Sequence, residues 1–162
     1  MTNTSPIILR QKPHATASVA GGAKHPQISG NVYFYRTNIG VMVVANIIGL
    51  PYNSGSCGGA VLGFHIHSGA SCSGNETDEF ANTMSHFNPL GCAHPFHAGD
   101  MPPLFVCKGS AFLSFLTDRF TIEQIVGKTV VIHSSADDFT TQPSGNSGEK
   151  IACGVIRKTS AL

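Results

Sequence analysis

Two histidines separated by a single residue, in Gly63-Phe64-His65-Ile66-His67, constrain this chain more than any other feature. Successive side chains on a β-strand point to opposite faces, so residues two apart share one face. The spacing predicts a strand over Val61–His67 that presents two imidazoles side by side, an arrangement suited to a transition-metal ion. An ordinary strand with two hydrogen-bonded histidines is the plain alternative. The company of the pair argues against it. Val61, Leu62, Phe64 and Ile66 are apolar, only 12% of the chain is charged, and six of its eight histidines fall between positions 65 and 133.

A chain of 162 residues fits one domain with room for a packed core. The net charge of +1 offers no broad basic footprint for nucleic acid or an acidic membrane. No run reaches the roughly 18 apolar residues of a membrane span. Met1-Thr2-Asn3-Thr4-Ser5-Pro6 lacks a basic start before an apolar run, and Ile7-Ile8-Leu9 is too short for a signal peptide. A cytoplasmic protein is the expectation; an extracytoplasmic one is the alternative if a leader has been removed.

With 18 Gly, 9 Pro and many Val, Ile, Thr and Ser, the composition is β-like. Residues 1–14 read as a loose leader, and residues 15–162 as a single domain. Short strands separated by turn signals are expected at Ala15–Val19, Ile28–Arg36, Val41–Ile48, Val61–His67, Leu104–Val106, Ala111–Leu116, Thr129–His133 and Ile151–Ile156. Thr121–Val126 reads as one helical turn ended by Gly127. Such a series predicts an all-β sandwich or barrel and argues against a parallel α/β fold. Ser68–Pro103 and Ser134–Lys150 have no strand pattern, and loops of that length are usually functional or disordered.

Both long loops begin just after a strand histidine, His67 and His133. The first contains His86, His94, His97 and Asp100. Three imidazoles and a carboxylate form an ordinary tetrahedral zinc shell. Here the sequence resembles copper/zinc superoxide dismutase. Gly63-Phe64-His65-Ile66-His67 resembles that family's copper-binding strand, and His86-Phe87-Asn88-Pro89 its bridging-histidine motif. His97-Ala98-Gly99-Asp100 is similar to its zinc segment, and Val131-Ile132-His133 with Asp137-Asp138 to its last copper ligand and acidic follow-on. Gly145-Asn146-Ser147-Gly148 and Ala152-Cys153-Gly154-Val155-Ile156 resemble its C-terminal signature. The likeness runs from about Ala17 to Ile156.

The resemblance implies an eight-stranded, immunoglobulin-like Greek-key β-sandwich or barrel with two long functional loops. It assigns copper to His65, His67, His86 and His133, and zinc to His86, His94, His97 and Asp100. Two four-coordinate ions need eight positions from these seven residues, so His86 would use both ring nitrogens. Asp137 would join His65 to His94; a turn residue beside Asp138 is the alternative. The implied reaction turns superoxide into O2 and H2O2, with His86 delivering a proton to the departing peroxide and Lys150 holding the anion. A homodimer and a copper chaperone are further partners the family suggests. A superoxide-dismutase-like metal-binding or structural domain without turnover is the rival. A cupin-type site would want a carboxylate soon after His67, whereas Glu76 is the first.

Two departures stand out. Only Pro95-Phe96 separates His94 from His97, a short zinc loop. Lys150 also takes the place of the family's arginine, keeping the charge while losing the planar fork. A solvated lysine at a strand start is the alternative there. Cys72 and Cys153 resemble the family's disulfide in its bacterial placement, although a reducing compartment would keep thiols free. Cys57–Cys92 is an alternative second bridge, Cys92 as a metal ligand is another, and Cys107 reads as an ordinary thiol.

Overall fold

Alternation of apolar and polar residues builds most of the sheet. In the computed structural model, which describes residues 11–56 and 58–160, nine strands form. They are β1 (Ala15–Gly21), β2 (Ser29–Thr37), β3 (Gly40–Ile48), β4 (Ala60–Leu62), β5 (Phe64–His67), β6 (Leu104–Val106), β7 (Ser110–Thr117), β8 (Thr129–His133) and β9 (Lys150–Lys158). Ala15, Ala17 and Val19 of β1 point inward, as do Val32 and Phe34 of β2 and Val41, Val43, Ala45 and Ile47 of β3. Register stacks them: Ala17 opposes Val32, Val32 opposes Ala45, and Phe34 opposes Val43. Burying a Val, Ile or Phe side chain contributes about 1.5–3 kcal/mol.

Every strand pairing is antiparallel, and the main sheet runs β5-β8-β9-β1-β2-β3-β7. β4 pairs with β6, and a Cys107–Ser110 bridge turns β6 back beside β7. With β4 and β5 taken as one bent strand, eight strands encircle the core. The strand expected over Val61–His67 is divided because Gly63 leaves the ladder. Its N–H donates to the Ser135 carbonyl and its own carbonyl accepts from the His133 N–H. A Cβ at Gly63 would lie 2.8 Å from the Ser147 hydroxyl oxygen, so only glycine lets the second loop approach this closely.

A single α-helix among the described residues, α1 (Ile122–Ile125), links β7 to β8. Thr121 caps it: the Thr121 hydroxyl accepts from the Gln124 N–H, and the Gln124 side chain accepts from the Thr121 N–H. Ile122 and Ile125 drop into the core beside Phe120, whose ring meets Phe34 edge-on. At the other end of the described chain, the His14 N–H donates to the Phe34 carbonyl and the His14 carbonyl accepts from the Thr159 N–H.

β5 and β8 break the alternation, since all their residues are buried. Phe64, Ile66, Val130 and Ile132 face the barrel interior. His65, His67, Val131 and His133 lie on the outer face, where the long loops cover them. Val131 there packs with Phe80, Cys72 and Cys153. Cys72 and Cys153 form a disulfide across 81 residues, fastening the first loop to β9. The barrel thus acts as a floor, and the loops roof the histidines.

Candidate metal centre

His65 and His67 project from one face of β5, as their spacing dictates. The remaining ligands arrive through backbone pairing that sequence alone does not display. The Phe87 N–H donates to the Ile66 carbonyl, the Ile66 N–H to the Gly99 carbonyl, and the Gly99 N–H to the Phe87 carbonyl. Residues 86–87 and 99–100 therefore line the free edge of β5, with His86 bridged to His67 and Asp100 to His65. His133 ends β8 on the same side, and a register shift there sets it opposite Lys150.

Two groups result. Ligating atoms of His65, His67, His86 and His133 lie within 4.8 Å of one another, and so do those of His86, His94, His97 and Asp100. All seven residues are buried or nearly so, and His86 belongs to both groups. Its Nδ1 lies 2.7 Å from Asp100 Oδ1, while its Nε2 faces the other three imidazoles without a hydrogen-bond partner.

For four of the six rings, outer hydrogen bonds fix which nitrogen is left free. His65 Nε2–H donates to Asp137 Oδ2 at 2.7 Å, and His94 Nε2–H donates to Asp137 Oδ1 at 2.9 Å. His67 Nδ1–H donates to the Met84 carbonyl at 2.8 Å, and His133 Nδ1–H to the Gly148 carbonyl at 3.3 Å. The free nitrogens then point inward: Nδ1 of His65, Nε2 of His67, Nε2 of His133. Nδ1 of His65, His94 and His97 are buried with no hydrogen-bond partner. Nε2 of His67 and Nε2 of His133 are 3.2 Å apart, lone pair against lone pair. Buried lone pairs converging in this way repel unless a cation sits among them. Four imidazoles suit copper, and three imidazoles with a carboxylate suit zinc, so both donor sets fit the expected ions.

The electrostatics agree. Burial, reinforced by neighbouring imidazoles, pushes the His67 ring well below its ordinary pKa and lowers His133 to about 3. Both rings are therefore neutral near pH 7, the form that ligates a metal. Burial raises the Asp137 carboxyl. Hydrogen bonds from His65, the Phe139 N–H and His94 more than offset this and hold it well below the usual carboxylate range. For Asp100, burial is likewise outweighed by the hydrogen bond from His86 and the nearby His94 and His97. Gly145 helps to seat Asp137. At φ +67°, a Cβ there would lie 2.0 Å from Asp137 Oδ1.

Lys150 is not a loose surface charge. Its Nζ donates to Asp78 Oδ2 at 2.6 Å and to the Phe80 carbonyl at 3.2 Å, and its side chain is 16% exposed. Burial works against ionisation of Asp78, but Lys150 lowers the carboxyl below its ordinary value. Among the described residues, Cys92 belongs to neither ligand group. Its backbone is held by both ends of the Asn88 amide, and its thiol and that of Cys107 are free. Cys57 lies outside the described residues. Asp78, Arg119 and Gln142 also shape this region, and no sequence pattern singles them out.

Comparison with known proteins converges on the same reading. Residues 28–156 match the family described as copper/zinc superoxide dismutase. Superoxide dismutase [Cu-Zn] 2 of Aquifex aeolicus is 36% identical over 146 residues, covering 81% of this chain and 80% of that protein. Superoxide dismutase [Cu-Zn] of Legionella pneumophila is 31% identical over 149 residues, covering 88% and 86%. The Cu/Zn superoxide dismutase structure from Brucella abortus overlays with a TM-score of 0.72 at 22% identity, covering 87% and 98%, a likeness of fold. A double mutant of a SOD-like protein from Bacillus subtilis overlays at a TM-score of 0.69 with 30% identity, covering 88% and 95%. With both ligand sets complete, the silent-domain alternative is not favoured. The chain belongs to the copper/zinc superoxide dismutase family.

Proposed function

We propose that this chain converts superoxide to O2 and H2O2, with copper held by His65, His67, His86 and His133 and zinc by His86, His94, His97 and Asp100. The carrying observation is the two-sided placement of His86, with Nδ1 in one donor set and Nε2 in the other. Copper held by these four rings would supply one-electron redox chemistry, and the overall reaction consumes two superoxide anions and two protons to give one O2 and one H2O2.

The protein's part is orientation and proton handling. His86 Nδ1 is committed to the zinc set, so Nε2 is the ring position free to gain a proton and pass it to the departing peroxide. Asp137 ties a copper-set ring to a zinc-set ring, which fixes their tautomers and relative placement. Lys150, set opposite His133, supplies the positive charge that draws the anion in. Its ion pair with Asp78 favours steering by a local field and a modest attraction.

Residues 15–162 act as the domain, with 1–14 as leader. The Cys72–Cys153 bridge supports an oxidising, extracytoplasmic setting over the cytoplasmic one. No helix among the described residues is long and apolar enough to cross a membrane. A homodimer and a copper chaperone complete the proposal on the resemblance, and sedimentation at two concentrations checks the first. The central test measures copper and zinc per chain alongside superoxide consumption. One of each metal with rapid consumption is expected. Full loading without consumption would return the silent-domain reading.

A further inference from the structure

Two side chains from outside both ligand sets grip the backbone of the short zinc segment. Gln142, in the loop after β8, pairs with both backbone groups of His94: its Nε2 donates to the His94 carbonyl at 2.8 Å, and its Oε1 accepts from the His94 N–H at 3.0 Å. The amide occupies His94 as a neighbouring strand would. Arg119, in the turn after β7, directs Nη1 at three carbonyls of the same segment. Pro95 accepts at 2.9 Å, Asp100 at 3.3 Å and His97 at 3.5 Å. The base of Arg119 is itself secured, since its N–H donates to the Thr117 hydroxyl and the next residue, Phe120, is buried in the core.

A metal site needs its ligands held before the ion arrives, or binding must supply the cost of ordering them. A long loop can hold itself through many internal bonds. Here only two residues separate His94 from His97, and few bonds close on themselves: the Phe96 N–H to the Ala93 carbonyl, and the His97 N–H and Asp100 N–H within the His97–Asp100 turn. We infer that Arg119 and Gln142 are positioning residues for zinc, supplying from the barrel and from the second loop the rigidity a short segment lacks. Neither touches the ion; each fixes the backbone that carries its ligands. The carbonyls gripped by Arg119 include those of two zinc-set residues, His97 and Asp100, so the clamp acts on their Cα positions directly.

This inference rests on the zinc assignment of His94, His97 and Asp100. The test strips the full-length protein of metal and titrates it with zinc alone against a chelator. It compares the unaltered protein with Arg119→Ala, Arg119→Lys, Gln142→Glu and the Ala/Glu double variant. Cobalt(II) absorption reports the geometry of the same site, and copper(II) spectra report the other. Expected results are zinc affinity about tenfold weaker in Arg119→Ala and in Gln142→Glu, partial recovery in Arg119→Lys, altered cobalt bands and an unchanged copper spectrum. Gln142→Glu keeps an Oε acceptor for the His94 N–H, loses the donor to the His94 carbonyl and adds a negative charge that by itself favours a cation, so weaker zinc binding despite that charge decides the matter should Arg119→Ala fail to fold. Variants that hold zinc as tightly as the unaltered protein overturn the clamp. Equal loss of copper and zinc affinity also overturns it, since that is general loosening. An unaltered protein that takes up no zinc overturns the zinc assignment and the clamp with it.

Discussion

Lys150 and Asp78, 72 residues apart in sequence, meet at 2.6 Å, with Lys150 opposite His133. The lysine's charge is thereby partly spent before any anion arrives. Lys150→Ala is expected to lower kcat/KM about threefold to tenfold while copper and zinc content hold. Asp78→Asn leaves the lysine uncompensated, so kcat/KM should rise roughly twofold at low ionic strength, with the gain fading as salt screens it. Rates measured over a salt series check both. A flat response in each variant would remove Lys150 from the anion's path.

Asp137 should matter more than its place outside both donor sets suggests. Asp137→Ala leaves Nε2–H of His65 and Nε2–H of His94 buried without acceptors, costing about 1–3 kcal/mol for each donor left unpaired. Zinc affinity should fall about 10–100-fold, as typically follows loss of an outer partner. Calorimetric melting of the zinc-loaded variant, with chelator competition, checks this. Gly145→Ala should act in the same direction by crowding the carboxylate.

Metal-free protein should lose stability as pH falls below neutrality. An unfolded histidine takes up its proton near pH 6.5, whereas folded His133 does so only at about 3. Between those values the unfolded state binds more protons, so stability rises with pH. The contribution is complete above 6.5 and drains by about 1.4 kcal/mol per pH unit per such ring. His67, lowered in the same direction, adds to the slope. Urea midpoints of the metal-free protein at pH 7.5 and 5.5 should separate clearly, and His133→Gln should narrow the gap.

Reduction of Cys72–Cys153 releases a link across 81 residues. The chain-entropy relation assigns it roughly 4–5 kcal/mol. Cys153→Ser is expected to melt at least several degrees lower than the unaltered protein, with reductant removing most of the difference. Equal melting temperatures with and without reductant would show the bridge to be idle.

Patterning made much of this legible. Leu104–Val106 and Thr129–His133 were readable to the residue, since apolar runs there end at turn residues. His65 and His67 share a face because period two requires it. The break at Gly63 was hidden, because it rests on backbone bonds to Ser135 and His133 and on the close approach of Ser147, all far along the sequence. Motif resemblance marked His86, His94, His97 and Asp100, whereas their convergence depends on backbone bonds to the edge of β5. Arg119, Gln142 and Asp78 gave no signal. Each is a lone polar residue whose role arises from what the fold brings beside it.

The free edge of β5 carries one last implication. A strand with unsatisfied backbone groups at a sheet's end invites pairing with another molecule and the growth of fibrils. Among the described residues no strand shields that edge; the stretches at 86–87 and 99–100 do. Whatever holds those stretches in place therefore also guards the chain against self-association, and their detachment would bare a margin open to a second strand.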